Sequence, residues 1–376
     1  MNLSRQTLFR LALAYLYYGA TFCGMLPVHY QGSRFEWCEF RLLWSITAGL
    51  FSMAAIGYSF YWIVILISYP VMEIVRYLFY CEFIIRFGVI LVGYLSTWFY
   101  HKRLITFGNI LLEVLDELKP FRIPTWIDRK LAAYGLLKLV FVDVFMCMLF
   151  AVNFHFNGEH DPVPLFERVT NVYVVFMMAQ VSNACLLSLY MAAHLYRCIN
   201  WQVRITLCFV LSTTLSMLCR QYFRVTEFIR GIFGVYGIPL ALINLNQFVV
   251  IVSRIYFVYV SVILELRHEF DINVHRYINS VLYLSFEVIH FVYLISAAEL
   301  VKKRAGKTMT YLNEFFEIDS EDTLAVKIET FSYALSVNRL DVSLYGLYSM
   351  GFTLLFSMST AIALKLIVLV QIQLKE

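Results

Sequence analysis

Apolar runs of membrane length recur along the whole chain, separated by polar connections that are short on one side and long on the other. Residues 42–67 contain no Asp, Glu, Lys or Arg. Further runs follow at 77–100, 131–154, 170–196, 237–264, 277–298 and 342–371. The charges within them are few: Glu82 and Arg86, then Lys138 and Asp143, Arg254, Glu287 and Lys365. A bilayer core of about 30 Å takes about 20 helical residues, and in lipid the backbone must satisfy its own hydrogen bonds. Each run therefore reads as a transmembrane helix. The expectation is an all-α membrane protein, with seven transmembrane helices in a single domain over residues 1–376.

Composition agrees with this pattern. The chain is 61% hydrophobic and 15% charged, against about 45–50% and about 25% in soluble domains. The net charge of +4 matters only through where the charges lie. Of the Lys and Arg residues, 20 fall in 1–40, 101–130, 197–236 and 299–341, and four fall in 68–73, 155–169, 265–276 and the tail. Basic loops stay inside. The N-terminus is expected in the cytoplasm, the C-terminus outside, and the long inner connections as a helical anchor layer beneath the membrane. Glu113, Asp116, Glu117 and Lys119 give a charged helical pattern before Pro120, and Lys302-Lys303-Arg304 can touch anionic lipid.

Two uncharged segments complicate the count. Residues 11–33 follow Arg5 and Arg10 in the manner of a signal peptide. A cleaved signal would move every basic loop outside, so the reading is an interfacial or re-entrant helix broken near Gly24 and Pro27. Residues 205–219 are short for a span and bracketed by Arg204 and Arg220. They read as a cytoplasmic helix packed on its neighbours.

A charge at mid-bilayer costs about 2.5–3.5 kcal/mol on insertion scales, so each needs a partner or water. Glu82 and Arg86, four apart, suit an intrahelical pair. Arg254 and Glu287 lie equally far from the hairpin midpoint at Phe270/Asp271, which predicts an ion pair between adjacent helices. Lys138 and Asp143, five apart, point to different sides of an α-helix. Lys138 is expected to snorkel inward, and Asp143 to face protein or a water-filled cavity.

Catalytic and cofactor motifs are missing. There is no H-E-x-x-H, no serine nucleophile motif and no Gly-rich phosphate loop, and His194 and His290 have no ligand at helical spacing. The eight cysteines show no C-x-x-C pair. The chain is expected to be no enzyme, with no cofactor, no metal and no nucleic-acid partner. A G-protein-coupled receptor would have the reverse orientation, an Asp/Glu-Arg-Tyr triplet where this chain reads Ala151-Val152-Asn153-Phe154, and an Asn-Pro-x-x-Tyr in the seventh span, which is missing. A transporter would break its helices at mid-membrane, whereas Pro239 sits at the inner end of the fifth run and the seventh has no proline.

The seventh run carries its own pattern. Thr360, Leu364, Ile367 and Gln371 form one helical stripe that is polar, apolar, apolar and polar. Around an axis shared by several copies, the apolar pair would form a dewetting gate and the Gln371 amides would line the outer mouth. On spacing alone, ordinary bundle packing fits the same stripe.

The whole chain resembles insect gustatory receptors, whose seventh span ends in T-Y-x5-Q-F. Here the tail reads Leu364-Lys365, five apolar residues, then Gln371-Ile372, with Gly346-Leu347-Tyr348 upstream in place of Gly-Leu-Phe. Gln371 and the apolar five match; Leu364, Lys365 and Ile372 replace Thr, Tyr and Phe. The resemblance implies a ligand-gated cation channel in the plasma membrane of sensory neurons. It implies a homo- or hetero-tetramer with related subunits, opened by a small organic tastant, such as a bitter compound or contact pheromone. It also implies a pocket open to the outside and enclosed by spans two to six of each subunit. Aromatic and polar residues in the outer halves of those spans are Tyr80, Phe83, Phe150, Asn153, Tyr173, Gln180, Tyr256, Tyr259, Tyr283 and Phe286. They suit a small, mostly apolar ligand. Lys365 departs from the family's tyrosine and points about 100° off the pore stripe.

Overall fold

The computed structural model describes residues 5–31, 34–66, 73–119, 129–145, 148, 165–209, 212–266, 274–316 and 322–373. Helix α1 (Arg5–Phe22) ends at Gly24, whose φ of 70° lies in the left-handed region where glycine pays no Cβ penalty. A Cβ there would also come within 2.9 Å of the Ala48 Cβ. The chain then forms an antiparallel hairpin, β1 (Val28–Gln31) with β2 (Arg34–Trp37), pairing Val28 with Trp37. Arg41 of α2 (Glu39–Leu66) donates to the Val28 carbonyl at 2.6 Å and fastens this hairpin to the helix that follows.

The remaining helices are longer than a bilayer requires. They are α3 (Glu73–Leu118, 46 residues), α5 (Leu165–Cys208, 44 residues), α6 (Ser212–Leu266, 55 residues) and α7 (Val274–Phe316, 43 residues). At 1.5 Å per residue, α3 extends about 69 Å, more than twice a hydrocarbon core. The inner connections expected after the second and sixth runs are thus direct continuations of spans. No proline lies within α3, α5 or α7, so nothing in those sequences stops the helix at the membrane edge. The separate helix expected over 205–219 is corrected: that segment is where α5 ends and α6 begins.

Between α3 and α5, α4 (Arg129–Leu136) runs into a π-helical segment, Leu137–Phe145. This occupies the inner part of the expected third span; residues 149–154 lie outside the described residues. After α7 come α8 (Asp322–Val337), a small hairpin of β3 (Ser343–Leu344) and β4 (Tyr348–Ser349), and α9 (Phe352–Gln373).

Among the described residues, six helices are long and apolar enough to cross a membrane. Burial grades them: 72% of the most apolar window of α5 is buried, 67% of that of α6, and none of that of α9. The protein is therefore an all-α membrane bundle centred on α5 and α6. The core continues into the basic end of the molecule, where Tyr196 and Tyr222 pack 4.9 Å apart and Tyr222 meets Phe331 of α8. There Arg224 of α6 pairs with Glu113 and Glu117 near the end of α3.

Candidate ligand site and terminal helix

Two buried ionic clusters lie between the long helices. In the first, Glu82 and Arg86 of α3 form the pair expected from their spacing, and Arg86 also donates to the Tyr283 hydroxyl of α7. Arg254 of α6 reaches the same Glu82 carboxylate, at 3.3 and 3.4 Å. Its guanidinium lies 4.8 Å from the Phe79 ring centre and 5.1 Å from that of Tyr283. The expected Arg254–Glu287 pair is corrected accordingly. Equal depth put both residues in one cluster, but the α3–α6 interface brings Glu82 closer to Arg254 than Glu287 of α7. Glu287 instead accepts from Gln247, one turn below Val250 on α6.

The second cluster overturns the reading of Lys138 and Asp143. The two lie 3.1 Å apart, with side chains 1% and 0% exposed. A π-helix closes i→i+5 hydrogen bonds, so residues five apart share a face. The π register of 137–145 thus stacks Lys138 over Asp143, and Lys138 does not snorkel. Asn183 of α5 accepts from Lys138 and donates to Asp143 at 2.6 Å, and His290 of α7 lies 2.7 Å from the other Asp143 oxygen.

The expected pocket residues fall into three places. Phe83 and Tyr283 lie against the Arg86 guanidinium of the first cluster, 5.8 and 5.4 Å from their ring centres, and Phe83 also packs with Phe60 at 6.3 Å; Phe286, buried with Tyr283, Val175 and Val250, packs instead on His290 of the second cluster at 4.3 Å. Tyr80 sits at the edge of the first cluster, 5.9 Å from Phe60. Tyr173 and Gln180 turn toward α1 and α2, where Tyr173 meets the hydroxyls of Ser52 and Tyr94, and Gln180 meets Tyr15. Tyr256 and Tyr259 turn toward Phe79, Leu366 and Leu369. Phe150 and Asn153 lie outside the described residues. Among the described residues, His290 has no hydrogen-bond partner at helical spacing on its own helix; its partner, Asp143, comes from the π-helical segment. The signal in the sequence was on α7 itself, where Tyr283, Phe286, Glu287 and His290 follow i, i+3, i+4, i+7 on one face.

Helix α9 touches the bundle along one side. Leu366 and Leu369 join Tyr256 and Val260 of α6. Thr360, Leu364, Ile367 and Gln371 are all exposed, with Leu364 at 60% and Ile367 at 54%. At 100° per residue these four fall within about 60° of one another, roughly opposite Leu366 and Leu369. Lys365 is exposed between the two faces. The start of α9 is clasped by α7. Glu299 accepts the Phe352 N–H at 3.3 Å, and Lys302 donates to the Met350 carbonyl and the Ser349 hydroxyl at 2.7 Å each. A carboxylate at a helix N-terminus complements its dipole.

A profile of the 7tm chemosensory receptors matches residues 13–376. The chain belongs to the seven-transmembrane chemosensory receptor family. Among solved structures, it is similar to the insect olfactory receptor OR5 from Machilis hrabei, at 13% identity and a TM-score of 0.66, covering 96% of this chain and 98% of that one. The same receptor in complex with eugenol matches at 14% identity and a TM-score of 0.70, covering 97% and 98%. At such identities the likeness is one of fold, and it extends over nearly the full length of both chains. No curated protein sequence matches the chain.

Proposed function

We propose that the chain is a gustatory receptor subunit that forms a ligand-gated cation channel, in a homo- or hetero-tetramer, in the plasma membrane of sensory neurons. Its ligands are small organic tastants, of the bitter or contact-pheromone kind. One observation carries this reading: α9 is apolar and of membrane length, yet its most hydrophobic stretch is left uncovered by its own chain. Its packed side holds Leu366 and Leu369 against α6, and the opposite side presents Thr360, Leu364, Ile367 and Gln371. Symmetric copies meeting on that side would enclose two apolar rings below a ring of amides, the arrangement of a hydrophobic gate. The eugenol complex of the similar olfactory receptor supports a small organic ligand. The buried aromatics Phe83, Tyr283 and Phe286 supply the apolar walls such a ligand needs.

Patch-clamp recording from cells expressing the chain tests this. Ile367→Ala is expected to raise ligand-independent leak, and Gln371→Ala to alter cation permeability. Leu366→Ala, on the packed side, should change yield and leave permeation alone. Silence of the surface-expressed chain, alone and with related subunits, together with a C-terminus found inside the cell, would favour a non-channel membrane protein: a transporter or a G-protein-coupled sensor of inverted topology.

A further inference from the structure

Three glycines of α6, Gly231, Gly234 and Gly237, recur at every third residue, and two of them seat aromatic rings from other elements. A Cβ at Gly231 would run into the Phe107 ring of α3. A Cβ at Gly237 would lie 2.7 Å from the ring of Tyr345, at the tip of the β3–β4 hairpin, and the Tyr345 hydroxyl donates to the Gly234 carbonyl. Among the described residues, nothing lies within 4 Å of a Cβ at Gly234, so that carbonyl is its whole contribution. Pro239 follows inside the same helix. Proline removes a backbone hydrogen bond, and helices kink there. The slot that receives Tyr345 therefore lies where α6 bends most readily.

Tyr345 holds this position against its own backbone. Its φ of 50° makes it the one non-glycine in the left-handed region among the described residues, a conformation disfavoured for a bulky side chain. Gly346 follows with a φ of 73°, and the Leu347 N–H reaches the Leu344 carbonyl at 2.9 Å. Two positive φ values in succession are the pattern of a type I′ turn, whose first central position suits Asn rather than Tyr. The body of the hairpin is anchored independently. Val342, Leu344 and Met350 are buried, and Asn244 of α6 donates to the Tyr348 hydroxyl at 2.9 Å. Lys302 of α7 holds Ser349 and Met350, and Glu299 caps α9. The tip is thus tied to α6 through one strained side chain, while the base is held by α7 and leads into α9 at Phe352.

We infer that Tyr345 is a positioning residue for α9, a catch that links the bend of α6 to the terminal helix. Seated against Gly237 and bonded to Gly234, it keeps the hairpin in its strained turn and α9 in the shut position. A change of bend at Pro239 carries the slot away from the hairpin tip. The turn then relaxes, and the start of α9 is freed to tilt. The outer half of α6 carries Val250 and Arg254, which belong to the buried groups between the helices. Rearrangement there reaches α9 through this catch. The inference rests on the channel reading above and supplies the contact by which α6 governs the gate.

The test uses full-length receptors in the membranes of expressing cells, with no ligand added. Two quantities are read: the resting current, and the rate at which a membrane-impermeant methanethiosulfonate labels Ile367→Cys in a background lacking the native cysteines. Removing one hydrogen bond shifts a two-state balance about three- to tenfold. Tyr345→Phe, which loses only the hydroxyl, is expected to raise both by about that factor. Tyr345→Asn suits the left-handed turn and leaves the slot empty, and Gly237→Ala fills the slot; each should raise both at least as far. Gly234→Ala gains the same helix propensity, keeps the carbonyl and meets no neighbour, so it should behave as the wild type. Melting temperature is read alongside. Lower melting of Tyr345→Phe with unchanged labelling and current would make the tyrosine purely structural and overturn the inference. Slower labelling, or equal effects of Gly237→Ala and Gly234→Ala, would overturn it too. Should Gly237→Ala fail to fold, Tyr345→Phe carries the test alone. Faster labelling with no current from any receptor would keep the catch and remove the channel. Equal labelling beside a leak raised by Ile367→Ala would remove the catch and keep the channel.

Discussion

The residues that decide the interior of this bundle are its buried charges, and they were legible by type and depth more than by partner. Glu82 was read as a local partner of Arg86, which it is; that it also answers Arg254 depends on how α3 meets α6, which no spacing within either helix encodes. The consequence is measurable. Glu82→Gln takes the shared carboxylate from the buried Arg86 and the half-buried Arg254, whereas Glu287→Gln keeps an amide beside Gln247. Losing one member of a buried ion pair costs about 3–5 kcal/mol, so Glu82→Gln is expected to abolish surface expression and Glu287→Gln to reduce it mildly. Equal effects in a cell-surface labelling assay would contradict the observed pairing. The second pair follows the same logic. Asp143→Asn strands the Lys138 ammonium at 1% exposure and should sharply lower melting. Adding Lys138→Met to it should restore most of the loss, since only a charged lysine needs the carboxylate. The error over this pair was one of register: five residues separate opposite-facing groups in an α-helix and same-facing groups in a π-helix. Nothing in Leu137–Phe145 taken alone distinguishes the two.

The helices themselves were largely visible, because hydrophobic runs without proline propagate until something stops them. Their ends were less so. The apolar pattern marked where α3, α5, α6 and α7 cross lipid, while their amphipathic continuations looked like separate connections. The β1–β2 hairpin was missed although Gly32-Ser33 between Tyr30 and Phe35 is a two-residue hairpin signal; the uncharged run around it masked the change of period. The junction before α9 offers a sharper test of how elements are held. A Cβ at Gly351 would come within 2.3 Å of the Glu299 Oε1 that caps α9. Gly351→Ala is therefore expected to dislodge that carboxylate, costing about 0.5–2 kcal/mol of helix capping. In recordings this should appear as a shifted ligand dose–response at normal surface expression. Combining it with Glu299→Ala removes the clash, and the double variant should resemble Glu299→Ala alone. A Gly351→Ala receptor with wild-type dose–response would show that the clasp does not position α9.

Across the whole molecule, the uneven burial of the helices is the feature that asks for more than one chain. A lipid-exposed helix has no penalty for being apolar, so exposure alone does not separate a helix facing lipid from one facing its copies. The two sides of α9 do separate them. With copies meeting around an axis, Ile367→Cys should give an oxidant-dependent dimer band in membranes, in a background lacking the chain's eight native cysteines, of which Cys81 and Cys208 are exposed among the described residues. Leu369→Cys, held against Tyr256 and Val260 of its own chain, should not. A helix facing only lipid would give weak, equal cross-linking at both positions. Orientation is read on the same cells: the excess of Lys and Arg in the inner connections requires an N-terminal epitope to stain only after permeabilisation and a C-terminal one to stain without it. Cross-linking at Ile367 with the C-terminal epitope outside joins the two halves of the argument. The basic ends of α3, α5, α6 and α7 then lie in the cytoplasm, where Arg224 ties α6 to Glu113 and Glu117. Gln371 then stands at the outer mouth of a shared axis, with the apolar rings beneath it. Cross-linking at Ile367 with both termini inside would keep the oligomer and discard the pore's direction, because the amides would then meet the cytoplasm first.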